Sequence, residues 1–107
     1  MRIVDTPPDI IDSFESRGVS MFHAPMRPDR CRAHLAVIEA GGTLGRHPAV
    51  GWQTFTVVSG AGWVAGADLE RLRIHVGQTA IWGPGEDHAS GSQDGMSVLI
   101  TEGPTKP

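Results

Sequence analysis

Two histidines and a glutamine are spaced so that they share the interior of a small β-sheet protein. His47 precedes Gln53 by six residues, and His88 follows later in the chain. The run that starts at Gln53 alternates, which places Gln53, Phe55 and Val57 on one face of a strand. An unpaired amide on a core face costs roughly 1–3 kcal/mol, so Gln53 needs polar partners there. His47 and His88 are the candidates.

These side chains leave two interpretations open. Imidazole is a good ligand for transition metals such as Fe, Ni and Zn, whereas the neutral oxygen of an amide is a poor one. The two histidines either hold a metal, or they are interior histidines that hydrogen-bond to Gln53 and to water. Glu86 precedes His88 by two residues, and an extended segment would point both side chains the same way. Glu86 is then a ligand or a catalytic acid or base; the alternative is a solvated loop residue.

Length and charge restrict the class of protein. A chain of 107 residues predicts one domain with a modest core. The formal net charge is −3 and no block of like charges occurs, so we expect no nucleic-acid partner. No apolar run approaches the roughly 20 residues that span a bilayer, and the start of the chain lacks the apolar core of a signal peptide.

Cysteine usage indicates a reducing compartment. Cys31 is the only cysteine, which excludes an internal disulfide. We interpret it as a small apolar filler with a free thiol, and we expect a cytoplasmic protein.

Short alternating segments separated by glycine and proline predict an all-β, antiparallel barrel or sandwich. We expect an N-terminal strand and arm region over residues 1–30, with one helical turn over residues 9–14, and a short polar tail over residues 102–107. A strand over residues 32–40 ends at Gly41 and Gly42. Its inward face carries either Leu35 or His34, so His34 is either a pocket residue or a structural one. A hairpin occupies residues 60–77, and His75 faces solvent.

Two blocks of the chain resemble the paired motifs of the cupin superfamily. The first block matches the family spacing at Gly41, His47, Gln53 and Gly60, with Ala49 in place of the second histidine and Gln53 in place of the glutamate. The second block matches at Gly77, Gly85 and His88, with Gly83 in place of the proline and Ser92 in place of the asparagine.

The resemblance implies a small antiparallel double-stranded β-helix, that is, a jelly-roll barrel. It also implies one divalent transition metal (Fe, Mn, Ni or Zn) held by His47, Gln53 and His88, with Glu86 as the acid or base. The activity expected is of the dioxygenase, isomerase or decarboxylase type, and the alternative is a metal-free module that binds or senses a small molecule. Phe55 and Trp82 would contact the small organic ligand. We further expect a homodimer, because small barrels leave sheet edges to cover.

Overall fold

The computed structural model describes residues 1–25 and 30–107. In these ranges the chain forms eight strands and one short 3₁₀ turn, Ser13–Glu15, between the first two strands. The strands are β1 (Asp9–Ile10), β2 (Arg17–His23), β3 (Arg32–Pro48), β4 (Trp52–Ala65), β5 (Arg71–His75), β6 (Thr79–Trp82), β7 (Asp87–Gly91) and β8 (Met96–Gly103). All described pairings are antiparallel, which confirms the all-β jelly-roll prediction.

The barrel is built around two long strands that each run through both of its sheets. The first part of β3 pairs with β2 and β8, and its second part pairs with β7. In the same way, the first part of β4 pairs with β6 and β8, and its second part pairs with β5 and β7. The strand order is therefore β1-β2-β3-β8-β4-β6 in one sheet and β3-β7-β4-β5 in the other, with β3 and β4 shared.

Alternation along the strands fills the space between the two sheets. Gln53, Phe55 and Val57 all point inward on β4, as their spacing predicted, and each is at least 95% buried. Their neighbours across the sheet on β8, Val98 and Ile100, are equally buried. The core is thus aliphatic along most of its length and becomes polar at the end that carries Gln53.

The register of β3 decides between its two predicted faces. Ala36 and Ile38 are fully buried, whereas Leu35 is 40% exposed. His34 shares the inward face of Ala36 and Ile38, since side chains two residues apart point to the same side. It lies directly opposite Ile100 on β8. His34 therefore belongs to the interior end of the barrel.

The predicted ends of three elements were wrong. β3 continues to Pro48 instead of stopping at the glycine pair, because Gly41 takes a φ of +78° and lets the strand bend without ending. β8 extends through Glu102 and Gly103, two residues into the predicted tail. Residues 9–10 form a strand rather than the start of a helical turn. Residues 26–29 of the predicted N-terminal region lie outside the described residues.

Among the described residues, no helix has the length and apolar content that crossing a bilayer requires.

Candidate functional site

A small cavity lies at the polar end of the barrel. Its volume is about 50 Å³, and Phe55, Ile100 and Leu44 supply part of its apolar wall. Its polar wall is formed by His34, His47, Gln53, His88, Ser90 and Glu102. A single water occupies about 30 Å³ in the liquid, so the cavity has room for an ion with one or two waters, or for a very small molecule.

Strand pairing brings the three predicted metal-binding residues to this cavity. His47 on β3 lies directly opposite His88 on β7, and their rings are 4.4 Å apart between centroids. Gln53 enters from β4 and is only 5% exposed. The spacing in sequence therefore did predict a shared location. Ala49, at the position where the family carries a second histidine, is buried and offers no ligand atom.

Backbone contacts orient both imidazoles in the same sense. The Nδ1 of His47 lies 2.7 Å from the carbonyl oxygen of Gly45, and the Nδ1 of His88 lies 3.2 Å from that of Glu86. A carbonyl only accepts, so each Nδ1 carries the proton and donates it. Each Nε2 is left with its lone pair, which is the tautomer that suits a metal-ligating histidine whose other nitrogen is tied down.

The Nε2 of His88 is an exception in an otherwise satisfied interior. It is the one fully buried side-chain nitrogen or oxygen without a hydrogen-bond partner in the described part of the chain. Burial is the main cause that lowers the pKa of His88, and the neighbouring His47 lowers it further; the Glu86 carbonyl and the charge of Glu102 act in the opposite direction. His88 is therefore held in its neutral form with an unused lone pair at the cavity.

Aromatic rings hold the two histidines from behind. Trp82 stacks on His88 at 4.4 Å and 27°, and Phe55 meets Trp82 edge-on at 5.7 Å. Phe14, in the 3₁₀ turn, stacks on His47 at 4.9 Å. Phe55 lines the cavity, whereas Trp82 lies behind His88, so Trp82 supports the imidazole. Ligand contact by Phe55 and Trp82 stays a prediction.

The structure does not bring the Glu86 carboxylate to this cavity. β7 begins only at Asp87, and Glu86 is not among the residues that line the cavity of His88. The Glu86 side chain accepts a hydrogen bond from the Gly83 N–H at 3.2 Å and lines a separate cleft beside Gly66. Its main-chain oxygen holds His88. A catalytic role for the carboxylate stays untested.

A different carboxylate, missed in the sequence, faces the cavity. Glu102 lies opposite Gln53 across the β4–β8 pairing and lines the cavity together with His34. The signal for it was present: Met96, Val98, Ile100 and Glu102 alternate along β8, and the first three are buried. Reading the alternation one step further would have placed Glu102 inside and removed it from the predicted tail.

The donor set fits a loosely held dication. Two imidazole nitrogens with free lone pairs and the Gln53 amide meet at one cavity, and the orphaned Nε2 of His88 gains a partner if a cation is present. Within the described ranges, however, no three side chains of the His, Cys, Asp and Glu types form a group that would hold a metal. Catalytic metal sites usually have three good protein ligands, whereas this cavity offers two imidazoles.

The chain matches no sequence-family model and no curated protein. Solved structures do match. A predicted oxalate decarboxylase from Thermotoga maritima superposes with a TM-score of 0.82 at 17% identity, over 94% of this chain and 95% of that one. The polyketide cyclase RemF from Streptomyces resistomycificus gives 0.81 at 16%, over 100% and 82%.

An RmlC-like cupin from Shewanella frigidimarina gives a TM-score of 0.80 at 18% identity, over 94% of this chain and 86% of that one. At such low identities these likenesses establish the fold. The predicted cupin fold is confirmed, and the chemistry of the site must be argued from its own residues.

Proposed function

We propose that this small cupin barrel binds a small organic ligand through a divalent transition metal held by His47, His88 and, more weakly, Gln53. One observation carries the proposal. The buried Nε2 of His88 has no partner among the described residues, and it lies at a cavity that it shares with His47.

The orphaned nitrogen is an unfavourable feature that a cation relieves. A buried acceptor without a partner costs about 1–3 kcal/mol, so the fold keeps it at the expense of stability. Three further features support a ligand role: the carbonyl at Nδ1, the stacked Trp82 and the shared orientation of His47. They fix the ring in the position and tautomer that coordination needs.

The size of the cavity sets the class of ligand. About 50 Å³ is far below the roughly 300–1,000 Å³ of sites for drug-sized molecules. A small acid of the class that the Thermotoga maritima neighbour is predicted to decarboxylate suits this space better than a polyketide, the class named for RemF. Dioxygenase, isomerase and decarboxylase chemistry remain open.

The chain's own residues have distinct parts in this proposal. A bound dication would polarise an oxygen of the ligand. His47 and His88 hold the cation, and Gln53 offers an amide oxygen or a hydrogen bond to the ligand. Glu102 places a carboxylate at the same wall, where it offsets part of the positive charge and exchanges a proton with the ligand. Phe55 excludes water from one side.

A metal-free binding module is the second candidate. It is favoured by the lack, in the ranges that the structure describes, of a third charged or imidazole ligand. In that case the two histidines and Gln53 hydrogen-bond directly to a small polar ligand.

Elemental analysis separates the two candidates. Untagged protein is loaded with Fe, Mn, Ni and Zn in turn, dialysed, and compared with His47→Ala and His88→Ala. His75→Ala is the matched control, because His75 is exposed on β5. We expect close to one equivalent of metal in the wild type and in the control, and none in the two cavity variants. Equal metal content in all four proteins, or none in any, rejects the metal site and leaves the binding module.

Gln53→Glu is a second test, in which metal affinity should increase. A carboxylate in place of the amide restores the negative charge that a dication prefers, so metal affinity should rise by at least roughly tenfold. An unchanged affinity would show that residue 53 does not contact the metal.

We also propose that the protein is cytoplasmic and forms a homodimer. The two copies would pair through the outer face of the sheet formed by β3, β8 and β4. Leu35 and Leu99 lie opposite each other there and are 40% and 42% exposed, and Cys31 is a free thiol of the kind a reducing compartment preserves. Light scattering at micromolar concentration should give the dimer mass, and Leu99→Glu should give the monomer. A wild-type monomer would contradict the pairing.

A further inference from the structure

A second pair of histidines lies beside the cavity and connects it to the surface. His23 on β2 and His34 on β3 are opposite each other in the register, with Nδ1 atoms 2.7 Å apart. The Nε2 of His23 lies 2.8 Å from the Oδ2 of Asp9, which is 67% exposed. The Nε2 of His34 lies 3.9 Å from the Oε2 of Glu102. The four side chains thus form a row from solvent to the cavity wall.

In its neutral state the row has fewer hydrogens than contacts. The row has three contacts, and each one needs a single hydrogen between its two atoms. Two neutral imidazoles carry only two hydrogens, and the ionised carboxylates carry none. The Asp9 carboxylate selects the His23 tautomer with hydrogen on Nε2, so the hydrogen of the Nδ1–Nδ1 contact must come from His34. The Nε2 of His34 then faces the Glu102 carboxylate with no hydrogen between them.

The distances agree with this count. The two contacts that have a hydrogen are 2.8 and 2.7 Å long, whereas the third, at 3.9 Å, is too long for a hydrogen bond. One additional proton completes the row: His23 then carries two hydrogens, and His34 donates from Nε2 to Glu102.

We propose that Asp9, His23, His34 and Glu102 act as a relay that carries a proton between solvent and the cavity. A proton released in the cavity binds a Glu102 oxygen and passes to the Nε2 of His34. The hydrogen on His34 Nδ1 then moves to the Nδ1 of His23, and the hydrogen on His23 Nε2 leaves through Asp9 to solvent. Each ring gains one proton and loses one, and both tautomers are reversed. Transfer in the opposite direction restores them.

Burial and the neighbouring charges favour the neutral form of the inner ring, His34. His34 faces His23 on β2, Arg32 on its own strand and Glu102 on β8. Its pKa is lowered, chiefly by burial, while Glu102 raises it and His23 and Arg32 lower it further. His23 faces Asp9 on β1 and is the more exposed of the two rings. His34 is therefore held in its neutral form within the row.

Histidine tautomers report on the relay directly, whether or not the cavity holds a metal. The full chain, labelled with ¹⁵N and treated with chelator, is followed by long-range ¹H–¹⁵N correlation between about pH 5 and about pH 9, either side of the ordinary histidine value. At high pH we expect hydrogen on Nδ1 of His34 and on Nε2 of His23. As the first proton binds, the hydrogen of His34 should move to Nε2. A His34 that keeps hydrogen on Nε2 at high pH overturns the proposal.

Variants at the two ends test whether the row acts as one unit. Asp9→Asn should move the midpoint of the His34 switch to lower pH by a few tenths of a unit, although Asp9 contacts only His23. Asp12→Asn makes the same charge change in the same segment and should move it less. Glu102→Gln should alter which nitrogen of His23 carries the hydrogen, although Glu102 is two contacts away. If Asp9→Asn leaves the midpoint of the His34 switch unchanged and Glu102→Gln leaves the His23 tautomer unchanged, the histidines are independent and the relay is rejected.

Discussion

The barrel contains two histidine pairs of almost equal ring separation that use their nitrogens in opposite ways. In the His47–His88 pair, at 4.4 Å, each Nδ1 binds a backbone carbonyl and each Nε2 is left free. In the His23–His34 pair, at 4.7 Å, the two Nδ1 atoms bind each other. The first arrangement leaves two lone pairs free at the cavity. The second occupies its lone pair internally and is suited to moving a proton.

Burial separates the pairs as well. His88 is 3% exposed, and a tryptophan lies flat against it, whereas His23 has a side chain that is 45% exposed. Burial disfavours the protonated form of an imidazole, so the buried His88 favours its neutral form. The second contact of each ring, rather than the distance between rings, therefore determines what a histidine pair can bind.

Removing the ring behind His88 should have the largest effect on stability. Trp82 is 4% exposed and packs on both His88 and Phe55. Trp82→Ala should lower the free energy of unfolding by about 3–5 kcal/mol, measured by urea denaturation. It should also loosen His88 and leave the His23–His34 tautomers unchanged. Trp82→Phe, which keeps a stacked ring, is the control; a loss as large as for alanine would show that stacking on His88 contributes little.

Replacing one histidine by leucine should lower stability in the second pair but not in the first. His88→Leu removes the orphaned nitrogen, so metal-free protein should unfold at an equal or higher denaturant concentration than wild type. His34→Leu deprives the Nδ1 of His23 of its hydrogen-bond donor, so stability should fall by about 1 kcal/mol. Both variants are measured by urea denaturation after chelation. If His88→Leu loses as much as His34→Leu, the Nε2 of His88 is satisfied in solution.

The stability of metal-free protein should depend on pH because the rings of His88 and His34 lie in the interior. The pKa values of His88 and His34 are lowered in the fold from the ordinary 6.5. The unfolded chain therefore binds protons first, and stability should fall as pH drops below about 6.5 until the folded rings are also protonated. His88→Leu should flatten part of this slope. An unchanged slope in that variant would mean that His88 ionises normally in the fold.

Replacing His23, the more exposed member of the second pair, should have the smallest effect on stability. His23→Gln removes a partly exposed imidazole whose ion pair with Asp9 is open to solvent. Unfolding free energy should change by no more than about 0.5 kcal/mol, since exposed pairs contribute little. A larger loss in urea denaturation would assign His23 a structural role and weaken the case for a relay.

The first histidine pair was predictable from the sequence and the second was not, for a physical reason. His47, Gln53 and His88 stand at family spacings, and the alternation of β4 fixes which way Gln53 points. The His23–His34 contact depends on the register between β2 and β3, which the alternation within either strand does not specify. His34 was left between two faces because both faces of residues 32–40 contain apolar residues.

Glu86 and Glu102 are two residues whose side-chain directions were not predicted correctly from the sequence. Glu86 was placed by assuming extended chain up to His88, but a turn at Gly83 to Gly85 precedes β7 and directs the carboxylate away. Glu102 was placed in a tail because polar residues follow it, although its position in the alternation of β8 points inward. Continuous periodicity predicted side-chain direction well, and the ends of elements were where that inference failed.

The central place of β8 determines when the site can form during folding. β8 joins β3 to β4 and pairs Arg32 with Glu102, so the contacts that close the barrel span about two thirds of the chain. Such non-local pairings slow folding to milliseconds or longer. Until β8 docks, the inner edges of β3 and β4 are unpaired, Glu102 is absent from the cavity wall and the row of side chains ends at His34. Those unpaired edges are a template for aggregation until β8 pairs with them.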